Sequence, residues 1–124
     1  MKSYIVDTYA WIAYFEGRKR FKEAIEENEL YTPSIVLAEI SRILKRKRVP
    51  EDKRMKILEF IKERSLILSL DENNAVKAGE TAEKEELYLI DGIIYSYVDE
   101  HTYLLTGDRH FKNKSFVILI EDES

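Results

Sequence analysis

Five short apolar runs are spaced along the chain, and what separates them is helical in period. The runs Ser3–Asp7, Leu30–Thr32, Leu66–Leu70, Tyr103–Thr106 and Phe116–Ile120 carry almost no polar residue in their interiors. Continuously apolar strands belong in a sheet covered on both sides, and strands alternating with helices belong in a parallel one. The fold class expected is therefore a three-layer α/β/α arrangement with a mainly parallel sheet. At 124 residues the chain has room for one such domain, taken as 1–124.

The intervening segments support this order. Thr8–Phe15 is apolar nearly all round, and Gly17 breaks it. Arg18–Asn28 is an amphipathic helix with Phe21 and Ile25 inward, and Ser34–Lys47 is a helix with Ser34 as its cap. Pro50 suits the first turn of a helix running to about Arg64. Asp71 caps a helix over Glu72–Glu86 whose inward face is Ala75, Ala78, Gly79 and Ala82, small residues that imply close approach to a neighbour. A further helix is expected to begin at Asp91, with Ile93, Ile94, Tyr97 and Val98 as its apolar face, and Glu121–Ser124 is expected to be a solvated acidic tail. The chain has no cysteine, which excludes disulfides and thiolate metal sites. It has no apolar run near the roughly 20 residues of a membrane span. A cytoplasmic protein is expected.

Acids recur where apolar elements end. Asp7 and Asp108 stand at the carboxyl ends of expected strands, the edge of a parallel sheet at which ligands bind. Asp91 opens a helix, and Glu39 shares an i, i+4, i+8 stripe with Ile35 and Ile43. Each has an ordinary structural reading. Asp7 and Asp91 would serve as helix caps, Glu39 would pair with Arg42 or Lys45, and Asp108 would be a turn residue after Gly107. Their joint placement argues for more. Four carboxylates from four distant segments can meet at one sheet edge, where mutual repulsion would raise their pKa values unless a cation neutralised them. All-oxygen ligands suit Mg²⁺ or Mn²⁺ rather than zinc. Such a site suits metal-assisted phosphodiester hydrolysis, which needs no nucleophilic side chain.

Around the acids, Thr106 reads either as a strand-end hydroxyl bonded to backbone or as a polar neighbour of the metal. Thr8 reads as structural, His101 and His110 as surface or rim residues, and Asp99 as too far along its helix to join. The basic run Arg42–Arg48, with Arg42, Lys45, Arg46 and Arg48 as candidate phosphate contacts, shares a helix with Glu39. Arg18–Arg20 is a second basic cluster. The net charge of −4 argues against a protein that coats nucleic acid, although two dications would cancel it.

The pieces YIVDTYAWI, YTPSIVLAEISRIL, LIDGIIYSYV and LLTGDRHF occur in this order over nearly the whole chain. With Asp7, Glu39, Asp91 and Asp108 in them, the chain resembles the PIN-domain family, and within it the small VapC-type toxins of toxin–antitoxin pairs. The resemblance implies a parallel sheet between helices and a Mg²⁺- or Mn²⁺-dependent endoribonuclease. Those four acids would be its ligands and Thr106 the polar residue two before the last. It also implies an RNA substrate, a homodimer and a cognate antitoxin. Gly92 departs from the alanine that many relatives carry after the third acid, which is expected to loosen that helix start.

Rival readings are a non-catalytic module that binds RNA or a partner through the basic run, and a DNA nuclease of related fold. A response-regulator phosphoacceptor would want an acid pair after the first strand, where Thr8 follows Asp7. An Asp-x-Asp phosphatase would want a second Asp where Tyr9 stands.

Overall fold

The computed structural model describes residues 1–121. Its strands are β1 (Ser3–Val6), β2 (Glu29–Pro33), β3 (Leu66–Leu68), β4 (Tyr103–Thr106) and β5 (Val117–Leu119). They form one five-stranded sheet in the order β3-β2-β1-β4-β5, and every pair is parallel. The order reverses at β1, so right-handed crossovers to its two sides place helices on both faces. That is the three-layer architecture expected. It also puts a crevice at the carboxyl ends of β1 and β4, which are adjacent strands with Val6 opposite Leu105.

The helices are α1 (Thr8–Phe15), α2 (Lys19–Glu26), α3 (Ser34–Arg46), α4 (Glu51–Arg64), α5 (Glu72–Glu85) and α6 (Leu89–Tyr95). Asp7 caps α1 and Asp71 caps α5, each carboxylate accepting a backbone N–H three residues on, at 2.8 Å. Glu51 and Asp52 open α4, and Lys62 and Arg64 close it, charges that complement the helix dipole. The core runs through Ile5, Val6, Trp11, Phe21, Ile25, Ile40, Leu104 and Phe111, all essentially inaccessible.

Several local expectations need correction. Ser34 is the first residue inside α3; the cap is Pro33, which makes no side-chain bond. Ala75 is exposed, so α5 turns only Ala78 and Ala82 fully inward. The last helix begins at Leu89, not Asp91, and ends at Tyr95; Tyr97 and Val98 pack against the core from the turn beyond it. Asp99 therefore lies outside that helix, where its carboxylate accepts the backbone N–H groups of His101 and Thr102. The expected tail reaches residues 122–124, outside the described part. No helix among the described residues is long and apolar enough to cross a membrane.

One buried polar chain crosses this core. Trp11 Nε1 donates to Thr32 Oγ1 at 3.1 Å, Thr32 and Ser65 share a hydrogen bond of 2.7 Å, and Ser65 donates to the Ile61 carbonyl at 2.8 Å. Removing the middle member orphans the Trp11 N–H, while Ser65 keeps its bond to the Ile61 carbonyl. Thr32→Val, nearly isosteric, is expected to cost about 1–3 kcal/mol in chemical denaturation, the cost of one unsatisfied buried polar group. Thr32→Ser, which keeps the hydroxyl, should lose about 1 kcal/mol for its methyl group.

Candidate active site

The register of β1 against β4 builds the centre of the site. With Val6 opposite Leu105, the next residues, Asp7 and Thr106, face each other at the crevice. The Thr106 hydroxyl donates to Asp7 Oδ2, while Asp7 Oδ1 accepts from the Ala10 N–H at the start of α1. Thr106 Oγ1 in turn accepts the Asp108 N–H at 2.9 Å, fixing the turn that carries the last acid. Gly107 lies between them, and a Cβ there would stand 2.1 Å from the Tyr9 ring, so a larger residue would have to push that ring aside. Asp108 Oδ1 accepts the His110 N–H at 2.9 Å and so caps the 3₁₀ turn Arg109–Phe111.

Glu39 and Asp91 reach the same place from the helices. Asp91 is the third residue of α6, not its cap, and Glu39 lies midway along α3, where its Oε1 accepts the Thr8 hydroxyl at 2.6 Å. The buried stripe of α3 is Val36, Ile40 and Leu44. The Ile35, Glu39, Ile43 stripe that the sequence marked is its half-exposed neighbour, and Glu39 and Ile43 line the cleft. A cleft of about 540 Å³ is walled by all four acids, with Tyr9, Arg18, Arg46 and Lys47 at its margin. Of the candidate phosphate contacts, Arg46 is in that wall; Arg42, Lys45 and Arg48 are exposed at the same end of α3 but do not line it.

The sequence underrated two residues. Thr8, read as structural, holds Glu39. His110, read as a rim residue, is exposed, yet its Nδ1 sits 3.1 Å from Asp108 Oδ1 and 3.6 Å from Asp91 Oδ2. A signal for it was present in the D-x-H spacing, because a cap bond from Asp108 to the second N–H folds that residue back over the carboxylate.

Bringing the acids together has an electrostatic cost. Burial pushes the Asp7 carboxyl up from 3.8 to about 7; its two hydrogen bonds oppose this, and Asp108 and Asp91 add to it. Asp91 rises from 3.8 to about 6, by burial first and then by Asp108, with His110 opposing and Glu39 adding. Carboxyls raised in this way, Asp7 to the edge of neutrality and Asp91 to just below it, are what a bound dication would lower again. The donors are carboxylate oxygens, which fit a hard ion. The residues present therefore fit Mg²⁺ or Mn²⁺.

The same shifts set a pH dependence for the metal-free protein. Both folded values lie above 3.8, so between about pH 4 and 7 the native state holds more protons than the unfolded chain. The contribution of these groups to stability is full below about pH 4 and is lost as the pH rises to about 7. With chelator present, denaturation midpoints should fall over that window, by on the order of a few kcal/mol at about 1.4 kcal/mol per pH unit. Excess Mn²⁺ should flatten the fall.

Comparison with known proteins agrees with this fold. The family model described as PIN domain matches residues 4–117. A toxin–antitoxin complex from Klebsiella pneumoniae superposes with a TM-score of 0.73 at 22% identity, covering 93% of this chain and 95% of that one. VapBC2 from Rickettsia felis, bound to a DNA fragment from its promoter, gives 0.72 at 20% identity, covering 98% and 99%. PAE2754 from Pyrobaculum aerophilum gives 0.70 at 21%, covering 97% and 90%. No curated protein sequence matches the chain. A family match over nearly the whole chain, on the parallel sheet and acidic crevice described above, makes the chain a member of the PIN domain family.

Proposed function

We propose that this chain is a Mg²⁺- or Mn²⁺-dependent endoribonuclease of VapC type, the toxin of a toxin–antitoxin pair. The observation that carries the reading is the meeting of Asp7, Glu39, Asp91 and Asp108, from four separated segments, in one cleft where burial and mutual repulsion raise the carboxyls of Asp7 and Asp91. The role of toxin, the antitoxin partner and a homodimeric state draw on the likeness to toxin–antitoxin complexes of matching length. A cytoplasmic setting goes with that role.

A divalent ion bound here would polarise a phosphodiester and acidify a water. The chain's own part is placement and charge. Asp7, Asp91 and Asp108 are the ligands assigned, and Thr106 fixes Asp7 and the Asp108 turn together. Glu39, held by Thr8, binds the ion or orients the attacking water. Arg18, Arg46 and Lys47 bring positive charge to the acidic cleft, where an RNA backbone would lie. Tyr9 also lines the cleft, with the Arg18 guanidinium 5.3 Å over its ring, which holds that cation beside the acids.

Incubation of the purified protein with tRNA and rRNA is the test. Cleavage is expected with Mg²⁺ or Mn²⁺ and none with chelator. Cleavage that persists in chelator would contradict the metal, and cleavage of DNA alone would replace RNA as the substrate.

A further inference from the structure

We propose that His110 is itself a ligand of the cation site, a nitrogen donor that makes the site prefer Mn²⁺ to Mg²⁺; this rests on the metal-dependent reading above. Three facts carry it. The His110 backbone N–H donates to Asp108 Oδ1, which fixes this residue beside the last acid. Its Nδ1 then lies 3.1 Å from an oxygen of Asp108 and 3.6 Å from an oxygen of Asp91, a residue of a different element. One ligand atom from each of Asp91, Asp108 and His110 can be chosen so that all lie within 4.8 Å of one another. Donors held about 2.1 Å from one ion are spaced by roughly 3.0 Å at right angles and 3.4 Å at tetrahedral angles. The two separations from His110 Nδ1 lie within about 0.2 Å of those values, and the third pair lies within 4.8 Å, so one ion can reach all three groups once the two carboxylates draw in.

Core packing does not force this arrangement, because the His110 side chain is 58% exposed. What supports the ring from behind is Tyr88, edge-on at 5.4 Å between centroids. The competing account is that His110 is only a counter-ion for the two acids, or only orients Asp108. These accounts differ in sign and in selectivity. A counter-ion must be displaced by the metal, so its removal would tighten metal binding. A residue that merely orients Asp108 would affect both ions alike. A nitrogen ligand favours the transition ion, since Mg²⁺ prefers oxygen.

The experiment is calorimetric titration of Mn²⁺ and of Mg²⁺ into wild type, His110→Gln and His101→Gln, with pulsed electron paramagnetic resonance on the Mn²⁺ forms. His110→Gln is expected to weaken Mn²⁺ about 10-fold or more, and Mg²⁺ by less than about 3-fold. A ¹⁴N modulation from bound imidazole should appear in wild type and in His101→Gln and vanish in His110→Gln. Equal losses for the two ions, tighter binding, or a ¹⁴N signal that survives the substitution would overturn the role of His110 and leave the metal-dependent reading standing. A wild-type protein that binds neither ion would overturn both.

Discussion

Asp7→Asn is expected to cut RNA cleavage on the order of a hundred- to a thousand-fold, the loss seen when one well-placed electrostatic group is removed from an active site. The same change is expected to make the metal-free protein more stable at pH 8. Asp7 is 3% exposed, and burial pushes its carboxyl up to about 7, so at pH 8 the fold carries an ion that the site disfavours. Asparagine removes that charge. It is as good a cap as aspartate, so the Ala10 bond survives. Against this, the Thr106 hydroxyl now meets an amide where it donated to a carboxylate, at a cost of about 1 kcal/mol. The charge effect is on the order of a few kcal/mol, so it wins, leaving a net gain of roughly 1–3 kcal/mol. At pH 5 the gain should largely disappear, because the native carboxyl is then protonated. Denaturation in chelator at the two pH values, beside the cleavage assay, checks both halves. Retained cleavage, or a variant less stable at pH 8, would count against the role given to Asp7.

The second large effect lies outside the acids. Gly92→Ala in an open helix would gain about 1 kcal/mol from propensity. Here Gly92 is buried where α6 crosses α5, and a Cβ would stand 2.3 Å from Ala82 Cβ and 2.7 Å from Ala82 Cα. One of those atoms is backbone, so a rotamer change cannot relieve the contact and the helices must part. Overpacking of this kind costs typically 1–3 kcal/mol and occasionally more. We expect a net loss of about 2–3 kcal/mol, and a fall in cleavage as well, because α6 carries Asp91. Ala82→Gly in the same molecule should restore only part of the stability, since Ala82 Cα remains in the way. An unchanged melting midpoint for Gly92→Ala would show that α5 and α6 separate freely.

That glycine illustrates how far the sequence could be read. Its departure from the family's alanine was visible, and the small residues of α5 announced a close neighbour. The identity of the neighbour was not, because contact between Ala82 and Gly92 depends on how two helices cross. The strands and the acids at their ends were legible since a buried parallel strand has no polar position to spare; an acid at its end stands out. The start of α6 was misplaced for a related reason. An acid before a helical run reads as a cap, yet Asp91 is committed to the crevice, and α6 begins at Leu89 without a side-chain cap. On α3, Ile35–Ile43 and Val36–Ile40–Leu44 share the helical period equally well. Periodicity cannot say which stripe faces the core and which only borders it; packing decides. His110 was read as a surface or rim residue, and it is exposed; its closeness to Asp91 was not legible, because that depends on how α6 meets the turn after β4.

On the proposed reading, Asp7, Glu39, Asp91 and Asp108 together hold a hard dication. A crystal soaked in Mn²⁺, with an anomalous difference map, addresses it most directly. The expected result is a peak in the crevice at the ends of β1 and β4, within bonding distance of oxygens from at least three of Asp7, Glu39, Asp91 and Asp108, and absent from Asp7→Asn. An empty crevice in crystals of an enzyme that cleaves RNA only with Mn²⁺, or a peak held by other residues, would contradict it.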